Sequence, residues 1–166
     1  MIEPFEKGEK RPGKVSYGLS SMGYDFRLSD EFLIQDPVVE MDPKNYPFIP
    51  YLEEDKSRIV IPGGATILGK SVEYFRIPDD VIAFCYGKST YARLGILINM
   101  TPIEPGWCGN LTISISNVGQ SPVAVYAHEG IGQMVFHQAD EVPLATYATK
   151  QGKYQNADGI RVAEVD

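Results

Sequence analysis

The stretch Gly109 to Gly119, GNLTISISNVG, alternates without a break, with Leu111, Ile113 and Ile115 on one side and Thr112, Ser114 and Ser116 on the other. That period of two is the mark of a strand with one buried face. Runs of the same kind recur over residues 24–34, 57–61, 66–77, 81–87, 96–101, 122–128 and 131–138, all rich in β-branched and aromatic residues. The 16 Gly and 12 Pro residues punctuate these runs instead of gathering in one linker. Short strands at this spacing predict a mostly β fold, a distorted barrel or jelly-roll-like sandwich. One helix interrupts them, a turn or two over Ser89 to Leu94, with Gly95 suited to the left-handed position that ends it.

At 166 residues, 43% hydrophobic and 22% charged, the chain can bury one good core and is short for two, so a single domain over 1–166 is expected. Residues 36–55, rich in Pro and acidic side chains, read as a long surface excursion. The polar tail, 150–166, reads on its own as a mobile arm. A formal charge of -7 and a pI near 4.8 argue against a general nucleic-acid or anionic-membrane surface, while leaving room for one small basic pocket. The opening MIEPFEKGEKRPGK has no apolar core of a signal peptide, and no later apolar run approaches the roughly 20 residues of a membrane span. The expectation is a cytoplasmic chain with Cys85 and Cys108 reduced. Their spacing is not of a metal-binding type, and His128 and His137 lack partners at catalytic spacing, so they read as surface or strand-end residues.

Three stretches have the composition of a site. In YGKSTYARLG a strand runs into Gly87, and Lys88, Ser89 and Thr90 open a short helix whose first amides lack intrahelical partners. Free amides, a lysine and two hydroxyls suit a phosphate, but on spacing alone they suit an ordinary capped helix with a solvated Lys and Arg better. In TPIEPGWCGNLTISISN, Glu104 sits in a Pro-bracketed loop near Trp107, where it either positions a hydroxyl or a water or is a plain loop acid beside a core aromatic. In SSMGYDFRL, Asp25 and Arg27 share one strand face and are placed to pair with each other, while Gly23 permits close backbone approach.

Together these stretches resemble the dCTP deaminase and trimeric dUTPase superfamily. SYGLSSMGYDFRLSDEF, SVEYFRIPDDV, GKSTYARLGILINMTPIEPGWCGNLTISISN, YAHEGIGQMVF and GKYQNADGI follow the dCTP deaminase pattern in order, with a start about twenty residues later than in longer members. The resemblance implies a homotrimer with active sites at subunit interfaces and Mg2+ on the bound triphosphate. It implies that Lys88, Ser89, Thr90 and Arg93, with Tyr91 and Ala92 in the same loop, hold the triphosphate of dCTP or dUTP and the surroundings of the catalytic water. Glu104 stands at the third-motif acid, which meets the 3'-hydroxyl in deaminases and orients water in dUTPases. The main chain of Thr112, Ile113 and Ser114 would read the pyrimidine edge, and Gln133, Tyr147 and Lys153 match positions that close over the nucleotide, as does the arm 150–166.

Ser114 stands where the deaminase pattern T-[LI]-E-[IL]-S carries its glutamate acid/base, and Ala157 stands where a glutamine is usual. Proton transfer by such a carboxylate is worth about 10²- to 10⁴-fold, which a serine near neutral pH does not supply. Strands like LTISISN, without the glutamate, occur in some dUTPases, although the Gly-rich aromatic arm of dUTPases is missing from this chain. Three expectations follow: a dCTP deaminase with water activated by Glu104 or by a relay through Ser89 and Arg93; a pyrophosphohydrolase of dUTP or dCTP with Glu104 as base; and a dNTP-binding protein without turnover.

Overall fold

The computed structural model describes residues 1–8, 10–35, 39–45, 47–51 and 55–165. Its elements are β1 (Ile2–Glu3), β2 (Gly18–Ser20), β3 (Gly23–Gln35), β4 (Phe48–Pro50), β5 (Arg58–Ile61), β6 (Thr66–Arg76), β7 (Val81–Gly87), α1 (Ser89–Ala92), β8 (Ile96–Asn99), β9 (Cys108–Asn117), β10 (Val123–Tyr126) and β11 (Gly130–Gln138). The expected mostly β fold is what forms. A nine-stranded sheet runs β7-β11-β3-β6-β9-β8 with β1, β2 and β4 added at its margins, and β10 pairs with β5 apart from it. The sheet curls until β7 lies against β8, giving a nearly closed barrel. No helix among the described residues is long and apolar enough to cross a membrane.

The alternation in the sequence sets the core. Every odd position of β9, from Gly109 to Asn117, is buried, and every even one is half-buried on the outer face. Leu111, Ile113 and Ile115 meet Phe26, Leu28, Phe75 and Met134 inside the barrel. The eight expected strands are present with ends moved by up to three residues. The helix spans Ser89–Ala92, and the chain turns at Gly95 with φ +84°. β1, β2 and β4 were not expected, because two- and three-residue strands carry too little pattern to stand out. Within the expected excursion, 36–38, 46 and 52–54 lie outside the described residues, while Phe48–Pro50 pairs with β3. The tail is also docked, with the Asn156 and Asn110 amides bonded to carbonyls of Cys108 and Ala157.

The same alternation drives two polar residues of β6 into the core, Ser71 and Glu73, both fully buried. Between Lys70 and Tyr74 the β6–β9 register shifts, and the Ser71 hydroxyl fills the break by accepting from the Leu111 amide (2.8 Å) and donating to the Glu73 carbonyl (2.7 Å). Glu73 accepts from the Arg27 amide at 2.8 Å and from its guanidinium Nε at 2.7 Å. Burial pushes the Glu73 carboxyl up, and the bonds from Arg27 draw it back. Arg27 therefore does not pair with Asp25 as expected: cross-strand partners prevail over a neighbour two residues along, and Asp25 turns to Gln133, which faces it on β11. Arg27 also reaches Glu6 (3.3 Å) and stacks on Tyr17, which ties the N-terminal segment to the barrel.

Removing one partner from a buried pair leaves an uncompensated charge. Glu73→Gln is expected to lose about 3–5 kcal/mol in urea denaturation, and Glu73→Leu with Arg27→Met to recover most of it.

Candidate active site

A cavity of about 650 Å³ opens on the outer side of β9, a size that suits a small organic ligand. Its floor comes from Leu68, Asn110 and Thr112, one wall from the loop Met100–Glu104, and its roof from Trp107, Tyr147 and the tail. Thr112, with Lys70 opposite it on β6, is held on this face by alternation. Lys70 is tied in turn to Glu31.

One edge of β9 is open at this point. The ladder from β8 stops at Asn99 opposite Ser114. The tail takes up the same edge at Gly109, through a parallel bridge to Ala157. Asn110 turns its amide to that edge (2.9 Å to the Ala157 carbonyl), and strand geometry turns the amide and carbonyl of Thr112 the same way, between the two partners. Gly109 makes the docking possible, since a Cβ there would stand 2.9 Å from the Ala157 nitrogen and from the Trp107 ring.

The tail crosses the cavity mouth as a strap. Trp107 is buried, and its indole donates to the Tyr154 carbonyl (2.9 Å). The Tyr147 hydroxyl accepts from the Tyr154 amide (3.0 Å), the Arg161 amide donates to the Thr112 hydroxyl (2.8 Å), and the Lys153 ammonium reaches the Glu164 carbonyl (2.5 Å). Of the residues singled out from the sequence, Glu104, Thr112, Tyr147 and Lys153 thus share one cavity, with Glu104 exposed on its wall.

The others lie elsewhere. Ser114 is half-buried on the same outer face, between Leu68 and Asn99, beyond the residues that form the wall. The Ile113 side chain is wholly in the core, so only its main chain faces neighbours. Ser89, Thr90 and Ala92 are exposed on α1 and Arg93 at its C-terminal cap, where the Arg93 guanidinium donates to the Ser89 carbonyl (2.8 Å). Tyr91 is buried, and its hydroxyl accepts from the Tyr126 amide (3.1 Å). Lys88 and Gln133 meet on Asp25, at 2.5 and 3.1 Å. Phe48 and Leu68 also line the cavity and were not anticipated, while Tyr154 and Arg161, which line it too, fall in the arm 150–166 expected to close over the nucleotide. Of the first two, Leu68, an apolar residue on the outward side of a strand, left a trace in the pattern.

The model of the dCTP deaminase-like family matches residues 1–139. The chain belongs to this family. It is 49% identical over 162 residues to a dCTP deaminase of Acidobacterium capsulatum, covering 96% of this chain and 88% of that protein. A dCTP deaminase of Herpetosiphon aurantiacus is 46% identical over 167 residues, 99% of this chain and 91% of that one. The fold is also that of the crystal structure of 2'-deoxycytidine 5'-triphosphate deaminase from Agrobacterium tumefaciens (TM-score 0.58, 18% identity, 83% of this chain and 43% of that one). The dUTPase of Staphylococcus bacteriophage 80alpha with dUpNHpp shares it as well (TM-score 0.54, 14% identity, 87% of this chain and 85% of that one).

A neutral hydrogen bond contributes about 1 kcal/mol net. Trp107→Phe, which keeps the ring and deletes the N–H aimed at the Tyr154 carbonyl, is expected to speed proteolytic cleavage within 150–165 about fivefold, with the global unfolding midpoint little changed.

Proposed function

We propose that the chain binds a deoxypyrimidine nucleoside triphosphate and acts on dCTP, releasing dUTP and ammonia. The cavity at the open edge of β9 carries this reading: aromatic rings, one lysine, one carboxylate and the main chain of Thr112, between the end of the β8 ladder and the tail bridge, meet in a space of nucleoside size. The Thr112 amide and carbonyl can pair with the edge of a pyrimidine, as base recognition by backbone requires. Glu104 accepts from a sugar hydroxyl, and Tyr147 and Lys153 close over the ligand from the strap. The triphosphate lies on Lys88, Ser89, Thr90 and Arg93, with the main chain of Tyr91 and Ala92 beside it and Gln133 nearby.

Since Lys88–Arg93 forms no part of the cavity wall, we take the site to be completed by a second copy of the chain, in a homotrimer. A heterologous contact around a threefold axis brings two different faces of the subunit together. Among the described residues no group of three or more His, Cys, Asp or Glu gathers as a metal cage. A magnesium ion therefore fits as one carried by the triphosphate oxygens, whose charge it neutralises.

Deamination adds water to C4 of cytosine and expels ammonia, so a group must take a proton from the water and return one to the leaving nitrogen. Ser114 supplies no carboxylate, and Glu104 is the carboxylate on the cavity wall. That same observation favours a second reading, cleavage of the triphosphate to a monophosphate and pyrophosphate with Glu104 as base.

The test is incubation with Mg2+ and each of dCTP, dUTP and dTTP, with products separated by chromatography. Formation of dUTP from dCTP is expected; monophosphate and pyrophosphate establish the second reading, and nucleotide binding without product defeats both. Ser114→Glu is expected to raise dCTP deamination by about 10²-fold or more, and Glu104→Gln to lower product formation by a similar factor.

A further inference from the structure

Asn110 stands on the outer face of β9 at the cavity floor, and both protons of its side-chain amide are already committed. Its Nδ2 donates to the Ser71 carbonyl at 3.2 Å and to the Glu73 carbonyl at 3.1 Å, across the break in the β6–β9 register. The nitrogen of an amide has two protons and the oxygen none, so two carbonyl acceptors settle which atom faces β6. The atom left over is Oδ1, an acceptor only. No donor of the described residues reaches it. Nor is it sealed in: Asn110 is half-buried, and among the described residues the Arg27 Nη2 alone is a fully buried side-chain polar atom without a partner. Asn110 lines the cavity, so a fixed and open acceptor stands in its floor.

The course of the chain decides which part of a nucleotide meets this oxygen. The loop Met100–Glu104 leaves β8 where Asn99 faces Ser114, and it returns to the start of β9 through the bond from the Trp107 amide to the Glu104 carbonyl (3.2 Å). Glu104 therefore lies at the Asn110 end of the open edge. A cytosine that sets N3 on the Thr112 amide and its amino group on the Thr112 carbonyl turns O2 and its sugar to that same end. The sugar thus meets two acceptors, the Glu104 carboxylate and the Asn110 Oδ1. A deoxyribose 5'-triphosphate has one hydroxyl proton to give, at C3', and leaves one acceptor unanswered. A ribose has two, on adjacent carbons. We infer that Asn110 makes the site one for ribonucleotides as well, its Oδ1 taking the 2'-hydroxyl of CTP while Glu104 takes the 3'-hydroxyl; the inference rests on the nucleotide reading above.

The experiment is calorimetric titration of the wild type, with Mg2+ present, by dCTP, CTP and 2'-deoxy-2'-fluoro-CTP, whose fluorine fills the 2' position and donates nothing. CTP is expected to bind about fivefold tighter than dCTP, and the fluoro analogue no tighter than dCTP. In Asn110→Lys, whose ammonium still donates to the two carbonyls and offers no acceptor, the affinities for CTP and dCTP are expected to lie within about twofold of each other. Asn110→Ala takes its place if that variant does not fold, since two ligands are compared on one protein and the lost carbonyl bonds cancel. CTP bound no tighter than dCTP by the wild type overturns the inference and leaves the nucleotide reading standing. A fluoro analogue as tight as CTP also overturns it, because the 2' position would then be filled and not hydrogen-bonded, and so does a preference for CTP that survives in the Asn110 variant. A wild-type protein that takes up neither dCTP nor CTP overturns the nucleotide reading itself and this inference with it.

Discussion

Strand β9 carries the rest of the structure because its two faces and two edges have different partners. Its odd residues fill the barrel, and Asn110 and Thr112 on its even face floor the cavity. One edge is paired with β6 over most of its length; the other is shared between β8 and the tail. Two short partners that do not meet leave a gap in the ladder at Thr112. Backbone groups in such a gap need partners, and a ligand with alternating donors and acceptors can supply them. The candidate site is thus a consequence of how the sheet ends.

The buried charges serve the same strand. Glu73 occupies a core position only because β6 keeps its alternation through the register shift, and Ser71 repairs the shift by bonding the Leu111 amide. The shift lies directly behind Asn110, whose side-chain amide donates to the Ser71 and Glu73 carbonyls from the cavity side. An error in this repair would move Asn110 and Thr112 relative to the loop that holds Glu104. Stability of the core and accuracy of the site are therefore linked through one irregular pairing.

Sequence alone was most legible where alternation is long. β9 and β6 were readable because each repeats a buried residue at every second position along its length, and such a pattern has few other solutions. β2 and β4 were not, since three residues hold no period, and their partners on β3 are distant in sequence. The docking of the tail was legible only through the family resemblance, which has 150–166 close over the nucleotide, and not through its composition. Its anchors are the Trp107 indole, the Tyr147 hydroxyl and a gap beside Gly109, none of which is a property of residues 150–165 themselves. Asp25 and Arg27 were placed correctly on one face, but their partners come from other strands, and sequence proximity favoured the wrong pair. Among the site residues, Glu104 and Thr112 were found through the stretch that contains both, whereas Leu68 and Phe48 required the sheet to be assembled first.

The cavity with Glu104, Thr112, Tyr147 and Lys153, and the Lys88–Asp25–Gln133 cluster at the start of α1, are the two half-sites of the proposed function. The central claim is that one nucleotide bridges the two across copies of the chain. It is tested most directly by counting dCTP-binding sites after mixing, unfolding and co-refolding two variants that each bind no dCTP, Lys88→Ala, Arg93→Ala in one and Glu104→Ala, Lys153→Ala in the other. If the chain forms the proposed trimer and each site takes one half from each of two neighbours, random mixing restores about a quarter of the sites. No restored sites, with both variants folded and assembled, would contradict the account.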